Sequence, residues 1–194
     1  MSIGNTLFPI FLKLKQVETL IVGGGNVGLE KLEALLKNDP DARVVLVSPI
    51  ISDKIRSLAA ESVSVKLIQR KYRVEDLATA NVAILATDKP SLHYRIRQQA
   101  TKLGVLLNVA DTPHLCDFYL GSTVKRGDLK VGISTNGSSP TFAKRFREVL
   151  EDILPENTHD LLTNLKKIRD EMKGDFSEKV KKLNRLTKTL VDKK

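Results

Sequence analysis

Over its first 110 residues the chain alternates short aliphatic and β-branched runs with stretches whose apolar positions recur at helical spacing. That is the pattern of a parallel sheet wound with helices. The runs Thr19–Val22, Ala42–Val47, Val82–Ala86 and Val105–Val109 are nearly continuous and predict buried strands. Val63, Val65 and Leu67 alternate with polar neighbours, which predicts a strand with one wet face. Between the strands, Asn26–Lys37, Ser52–Ala60 and Ser91–Leu103 read as helices, the last stopped by Gly104. Leu7–Leu14 reads as a further edge strand or as a segment packed beneath the sheet.

After residue 110 the pattern changes. Phe118–Val124 and Leu129–Ser134 predict a hairpin that turns through Lys125, Arg126, Gly127 and Asp128. No third strand follows to cover its edges, so the hairpin is expected to pair with a second copy of the chain in a homodimer. Ser139 and Pro140 mark a helix start as N-cap and first helical residue, with Phe142, Phe146, Val149, Leu150 and Ile153 on one face up to Pro155. Leu161, Leu162, Leu165, Ile168 and Met172 continue at helical spacing, and Gly174 breaks the run. Asp175 with Glu178 then forms a capping-box pattern ahead of Phe176, Val180, Leu183, Leu186 and Leu190. The predicted class is therefore α/β: a Rossmann-like parallel sheet wound with helices over 1–113, a dimerisation and substrate-binding segment over 114–155, and a helical C-terminal domain over 156–194.

Composition narrows the function. The chain has 194 residues, 41% of them hydrophobic, enough for a core without staples. Cys116 is the single cysteine, so no intramolecular disulfide can form, and a reducing cytoplasm is the expected location. Leu7–Leu14 is short and interrupted by Pro9 and Lys13, so neither an export signal nor a membrane span is expected. With 32 Lys plus Arg against 23 Asp plus Glu, the net charge of +9 predicts attraction to an anionic partner. The excess is spread along the chain, and with no Trp and three Tyr there is little aromatic interleaving, so a nucleic-acid partner is not expected.

Gly23-Gly24-Gly25-Asn26-Val27-Gly28 follows the first strand directly and opens the first helix. An ordinary glycine turn shares these residues, but strand, glycines and helix in this order predict a dinucleotide site. Gly23 makes the tight turn, Gly25 lets the main chain approach a pyrophosphate, and Gly28 lets the helix pack close, with Asn26 and Val27 at the helix head facing the anion. The second strand ends in Val47-Ser48-Pro49, without the acid that usually meets the adenosine ribose of NAD. Ser48 can bond a ribose hydroxyl, while Arg43, expected to be buried, and Lys54 and Arg56 leave a 2′-phosphate open; the reading is NAD. Ala86 and Thr87, at the carboxyl edge of the fourth strand, are expected to line the cofactor.

Phe8-Pro9-Ile10-Phe11-Leu12, the glycine element, Ala86-Thr87-Asp88, Asn108 to Tyr119 and Ser134 to Pro140 together resemble the siroheme synthase family of precorrin-2 dehydrogenases, some of which are also sirohydrochlorin ferrochelatases. The resemblance spans about residues 7 to 155. It implies NAD-dependent oxidation of precorrin-2 to sirohydrochlorin, followed in some members by insertion of ferrous iron as a second substrate, within a homodimer. Asp111 matches the family's catalytic aspartate, the group that accepts a proton as hydride leaves the macrocycle. The substrate this resemblance implies is a tetrapyrrole rimmed with carboxylate arms, which agrees with the basic charge. Asn108 and the Ser138-Ser139 helix start, with Lys144 and Arg145 nearby, are the expected substrate contacts. His114 and Cys116 are too few for a zinc site, and no resident metal is expected. Asp117 either caps local backbone or assists the substrate. The competing reading is a non-enzymatic redox sensor, with the same nucleotide loop and a helical output segment.

Overall fold

The computed structural model describes residues 4–172 and 175–188. Five strands form a parallel sheet in the order β3-β2-β1-β4-β5. They are β1 (Thr19–Val22), β2 (Val44–Val47), β3 (Val65–Ile68), β4 (Val82–Leu85) and β5 (Leu106–Val109). Helices α1 (Asn26–Asn38), α2 (Asp53–Ala60) and α3 (Pro90–Leu103) connect them. Both faces of the sheet are covered, which is why β1 and β4 are buried at every position. Successive side chains alternate between the layers: Leu20 and Val22 pack with Leu85, Ile96 and Leu107, whereas Ile21 packs with Leu32, Leu46 and Ile55. Pro90 opens α3 at its first turn, and Gly104, at φ 70°, closes it in the left-handed conformation.

Two expectations for this half are corrected. Leu7–Leu14 is neither a strand nor packed beneath the sheet, since residues 7–12 are exposed and only Leu14 joins the core. Pro9 removes a ladder donor, and the segment's main-chain link to the sheet is a single bond, from Arg43 N–H to the Leu14 carbonyl at 3.2 Å. Val63 is fully exposed and lies ahead of β3, because Ser62 N–H still bonds the Ala59 carbonyl at the close of α2.

A compact unit ends at Leu120 and a second begins at Gly121. Residues 113–117 belong to the first because Asp117 N–H bonds the Leu107 carbonyl at 2.7 Å, tying the loop back to β5. The second unit opens with an antiparallel hairpin, β6 (Ser122–Arg126) and β7 (Leu129–Ile133), in which Val124 faces Val131. The turn is only Gly127-Asp128, with Gly127 at φ 55°; Lys125 and Arg126 are strand residues, and Phe118–Gly121 precedes the strand. Helix α4 (Pro140–Ile153) starts as expected, the Ser139 hydroxyl accepting the Phe142 N–H at 3.1 Å. Its packing differs from the simple one-faced reading. Ala143, Leu150 and Leu154 pack on Val124, Val131 and Ile133, whereas Phe142, Phe146, Val149 and Ile153 form an exposed stripe.

Helices α5 (Thr158–Glu171) and α6 (Phe176–Thr187) follow, and the Asp175 carboxylate caps α6 by accepting the Glu178 N–H at 2.9 Å. The expected breaker Gly174 and the last apolar position, Leu190, lie outside the described residues. Among the described residues no helix is long and apolar enough to cross a membrane.

Candidate active site

The register that aligns the strands also aligns their ends. Val22 lies opposite Val47 and Leu85, and Leu85 opposite Val109, so Gly23, Ser48, Ala86 and Ala110 leave the sheet at one edge. Between β1 and β4 the order of winding reverses, and open α/β sheets bind ligands at that point. A cavity of about 990 Å³ opens there, within the range of dinucleotide and cofactor sites.

The glycine loop forms one wall. Gly23 sits at φ 127°, and a Cβ on it would lie 2.2 Å from the Ala86 carbonyl oxygen. A Cβ on Gly28 would lie 2.2 Å from the Gly23 carbonyl oxygen, so α1 packs directly on the turn. Gly25 is different: nothing lies within 4 Å of its missing Cβ, and it is the N-cap of α1, with no side-chain cap. Gly25, Asn26 and Val27 line the cavity, so the uncapped N–H groups of the first turn are available to an anion. The cradle fits a dinucleotide pyrophosphate.

Ser48 and Pro49 line the cavity beside the loop. Ser48 is buried, and its hydroxyl donates to the Ile50 carbonyl at 2.7 Å. Arg43 is not buried as expected; it is exposed at the opposite end of β2 and paired with Glu18 at 2.6 Å. Lys54 and Arg56 are exposed on α2 and do not line the cavity; Arg56 donates to Gln69 at 2.7 Å. Ala86 and Thr87 both line the cavity, and the Thr87 hydroxyl is 2.8 Å from Nε2 of His93.

Asp111 stands on the same wall, one residue past Ala110. It adopts φ 55°, uncommon for a residue with a side chain, and is exposed. Its neighbours are pinned, Ala110 N–H to the Leu85 carbonyl at 3.0 Å and Thr112 N–H to the Val109 carbonyl at 3.3 Å. Among the described residues its carboxylate has no hydrogen-bond or ion-pair partner, which leaves it available to a bound molecule.

Other residues from the sequence reading have local work. Asn108 is buried away from the cavity wall and donates to the Phe118 carbonyl at 2.9 Å, holding the loop rather than facing a substrate. Asp117 accepts Leu107 N–H at 2.9 Å and Arg97 at 2.5 Å. Burial opposes its charge, but the Arg97 and Leu107 bonds outweigh burial and hold the carboxyl below the usual range. Cys116 is half-buried with its thiol pushed up by burial, and His114 is exposed beside Tyr94, 3.1 Å from its hydroxyl. Ser138, Ser139, Lys144 and Arg145 belong to the second unit; Ser139 caps α4, and Arg145 pairs with Glu148 at 2.8 Å.

Sequence reasoning missed Lys71, Tyr72, Lys89, His93 and Arg95, all on the cavity wall. The loop after β3 was findable from the register, since Ile68 ends level with Val47. Tyr72 donates to Gln99 at 2.8 Å, and burial pushes its hydroxyl up to about 12. His93 carried a signal too: it precedes Ile96 by three and Ala100 by seven, on the buried stripe of α3.

Comparison with known proteins agrees with this geometry. A family model described as "Putative NAD(P)-binding" matches residues 10–122, and one described as "Sirohaem biosynthesis protein central" matches 126–153. The chain is 37% identical over 173 residues to a siroheme synthase of Psychrobacter cryohalolentis, covering 89% of this chain and 32% of that protein. It is 32% identical over 168 residues to the siroheme synthase of Nitrosomonas europaea, covering 87% of this chain and 35% of that one. The chain thus spans about a third of the length of these curated relatives. A solved structure of SirC, precorrin-2 dehydrogenase, shares the fold at a TM-score of 0.70, with 23% identity, 93% of this chain and 89% of that chain covered. With the first model spanning the sheet and more than half of the chain, the chain belongs to the NAD(P)-binding family that model describes, and it is similar in sequence to the corresponding third of siroheme synthases.

Proposed function

We propose that the chain oxidises precorrin-2 to sirohydrochlorin with NAD. The observation that carries this is the unpartnered Asp111 carboxylate, held at φ 55° on the wall of the cavity that the glycine loop also lines. Bound NAD would supply the hydride acceptor. The chain's own residues do the rest: the first turn of α1 binds the pyrophosphate, and the side-chain-free surface of Gly25 admits it. Loss of hydride from a ring carbon leaves a proton to be removed, and Asp111, with both oxygens free, takes it as general base. Lys71, Lys89 and Arg95 line the same cavity and give it positive charge for the substrate's carboxylate arms. Ser138, Ser139, Lys144 and Arg145 at the start of α4 are a second set of donors for those arms.

In this reading residues 1–113 hold the cofactor, 114–155 pair two copies and bind substrate, and 156–194 complete the helical part. The exposed Phe142, Phe146, Val149 and Ile153 stripe, beside a two-stranded sheet with open edges, supports a homodimer. The same Asp111 carboxylate is suited to take pyrrole protons when ferrous iron enters as a second substrate. A lone free thiol suits the reducing cytoplasm. The test is an anaerobic assay in which NAD and then ferrous iron are added to precorrin-2: sirohydrochlorin after the first addition supports the dehydrogenase, and siroheme after the second supports metal insertion.

A further inference from the structure

His93 is the buried histidine of the described chain, 4% exposed, and the oxidation proposed above assigns it no part. It lies on α3 with its side chain against the end of β4, its Nε2 2.8 Å from the Thr87 hydroxyl oxygen. Thr87 is fixed from two further sides. Its Oγ1 accepts the Lys89 N–H at 3.4 Å, and its Cγ2 packs where a Cβ on Gly23 would come within 3.2 Å. Both residues line the cavity at the winding reversal.

A threonine hydroxyl has two lone pairs and one proton. With Lys89 N–H on one lone pair and, in the Nε2–H tautomer of His93, the ring donating to the other, the hydroxyl has only its proton left to offer. We infer that His93 is a positioning residue that turns Thr87 into an obligate hydrogen-bond donor toward an acceptor oxygen of the bound dinucleotide, a phosphate or ribose oxygen beside the glycine loop. The ring state agrees. Burial pulls its pKa below the ordinary histidine value, against the Thr87 main-chain contact and the charge of Asp88, which raise it. A neutral ring carries one proton, and the inference assigns it to Nε2, the nitrogen 2.8 Å from the Thr87 hydroxyl. The inference rests on the dinucleotide reading of the cavity.

The test measures NAD affinity of the full chain by calorimetry, with thermal melts as a check on folding. His93→Leu should weaken NAD about tenfold, the loss of one well-aligned hydrogen bond. His93→Gln, whose amide N–H can reach the same oxygen, should stay within about twofold of the parent. Thr87→Val should weaken NAD by about the same factor as His93→Leu, and the double variant no further, because the two act through one bond. Equal losses for Leu and Gln, or additive losses in the double variant, would overturn the inference. Should His93→Leu melt too low to measure, Thr87→Val alone decides, and unchanged NAD affinity there refutes it. A parent chain that binds no dinucleotide would instead refute the underlying cofactor reading.

Discussion

Gly23 and Ala86 meet across the β1–β4 seam so closely that a Cβ on the glycine would stand 2.2 Å from the Ala86 carbonyl oxygen. The glycine loop is therefore locked onto the strand end that also carries Thr87, and two walls of the cavity are one rigid main-chain contact. Two of the four glycines in residues 23–28 then have separable duties. Gly23→Ala, which adds both a clash and a strained φ of 127°, should lower stability by about 3 kcal/mol or prevent folding. Gly25→Ala meets open space at an ordinary backbone angle and should unfold within about 0.5 kcal/mol of the parent, yet lose NAD binding because its methyl group occupies the approach of the pyrophosphate. Denaturant melts paired with calorimetry check both. Retained NAD affinity in Gly25→Ala would contradict this division.

Acid should weaken the sheet through two ion pairs, Arg70–Asp76 and the more exposed Arg97–Asp117. Asp76 accepts Arg70 at 2.6 and 2.8 Å and Arg73 N–H at 2.8 Å, and Asp117 bridges Arg97 and Leu107 N–H. Burial works against both carboxylates, but these bonds prevail and hold each below its ordinary 3.8. A depressed folded-state value means the stabilisation is complete above the ordinary value and is lost as pH falls through the lower one. Denaturation midpoints should therefore drop as pH falls below about 4. The Asp76→Asn, Asp117→Asn double variant should be less stable at neutral pH, by about 1 kcal/mol per site, and should show a flatter acid limb. Parallel acid limbs would count against the assignment.

Phe142 and Phe146 stack with ring centroids 6.0 Å apart on the exposed side of α4. If this stripe joins two copies, the Phe142→Lys, Phe146→Lys variant should sediment as a monomer, while the parent sediments at twice the chain mass. Helicity should be unchanged, since Ala143, Leu150 and Leu154 carry the packing on the hairpin. A parent that is monomeric at micromolar concentration, or a variant that still dimerises, would contradict the homodimer.

The sheet was legible because a parallel strand buried on both faces writes itself as an unbroken aliphatic run; β1 begins and ends where its run does, at Thr19 and Val22. The glycine loop was legible because its chemistry is local in sequence. Leu7–Leu14 misled because an apolar composition does not supply a ladder partner, and Asn108 misled because a polar residue at a strand's end can equally tie down the next loop. His93, Lys71 and Arg95 were hidden for another reason: register and winding, not spacing, bring residues from two separate connections to one cavity.

The central claim is that Asp111 acts as the base beside the cofactor, and Asp111→Asn tests it with the least disturbance. Asparagine tolerates the left-handed backbone that Asp111 adopts, so folding and NAD affinity should match the parent. Anaerobic turnover of precorrin-2 with NAD, followed by the appearance of sirohydrochlorin, should fall by about a hundredfold or more, the usual contribution of a general base. A variant that binds NAD normally and still turns over at the parent rate would contradict the account.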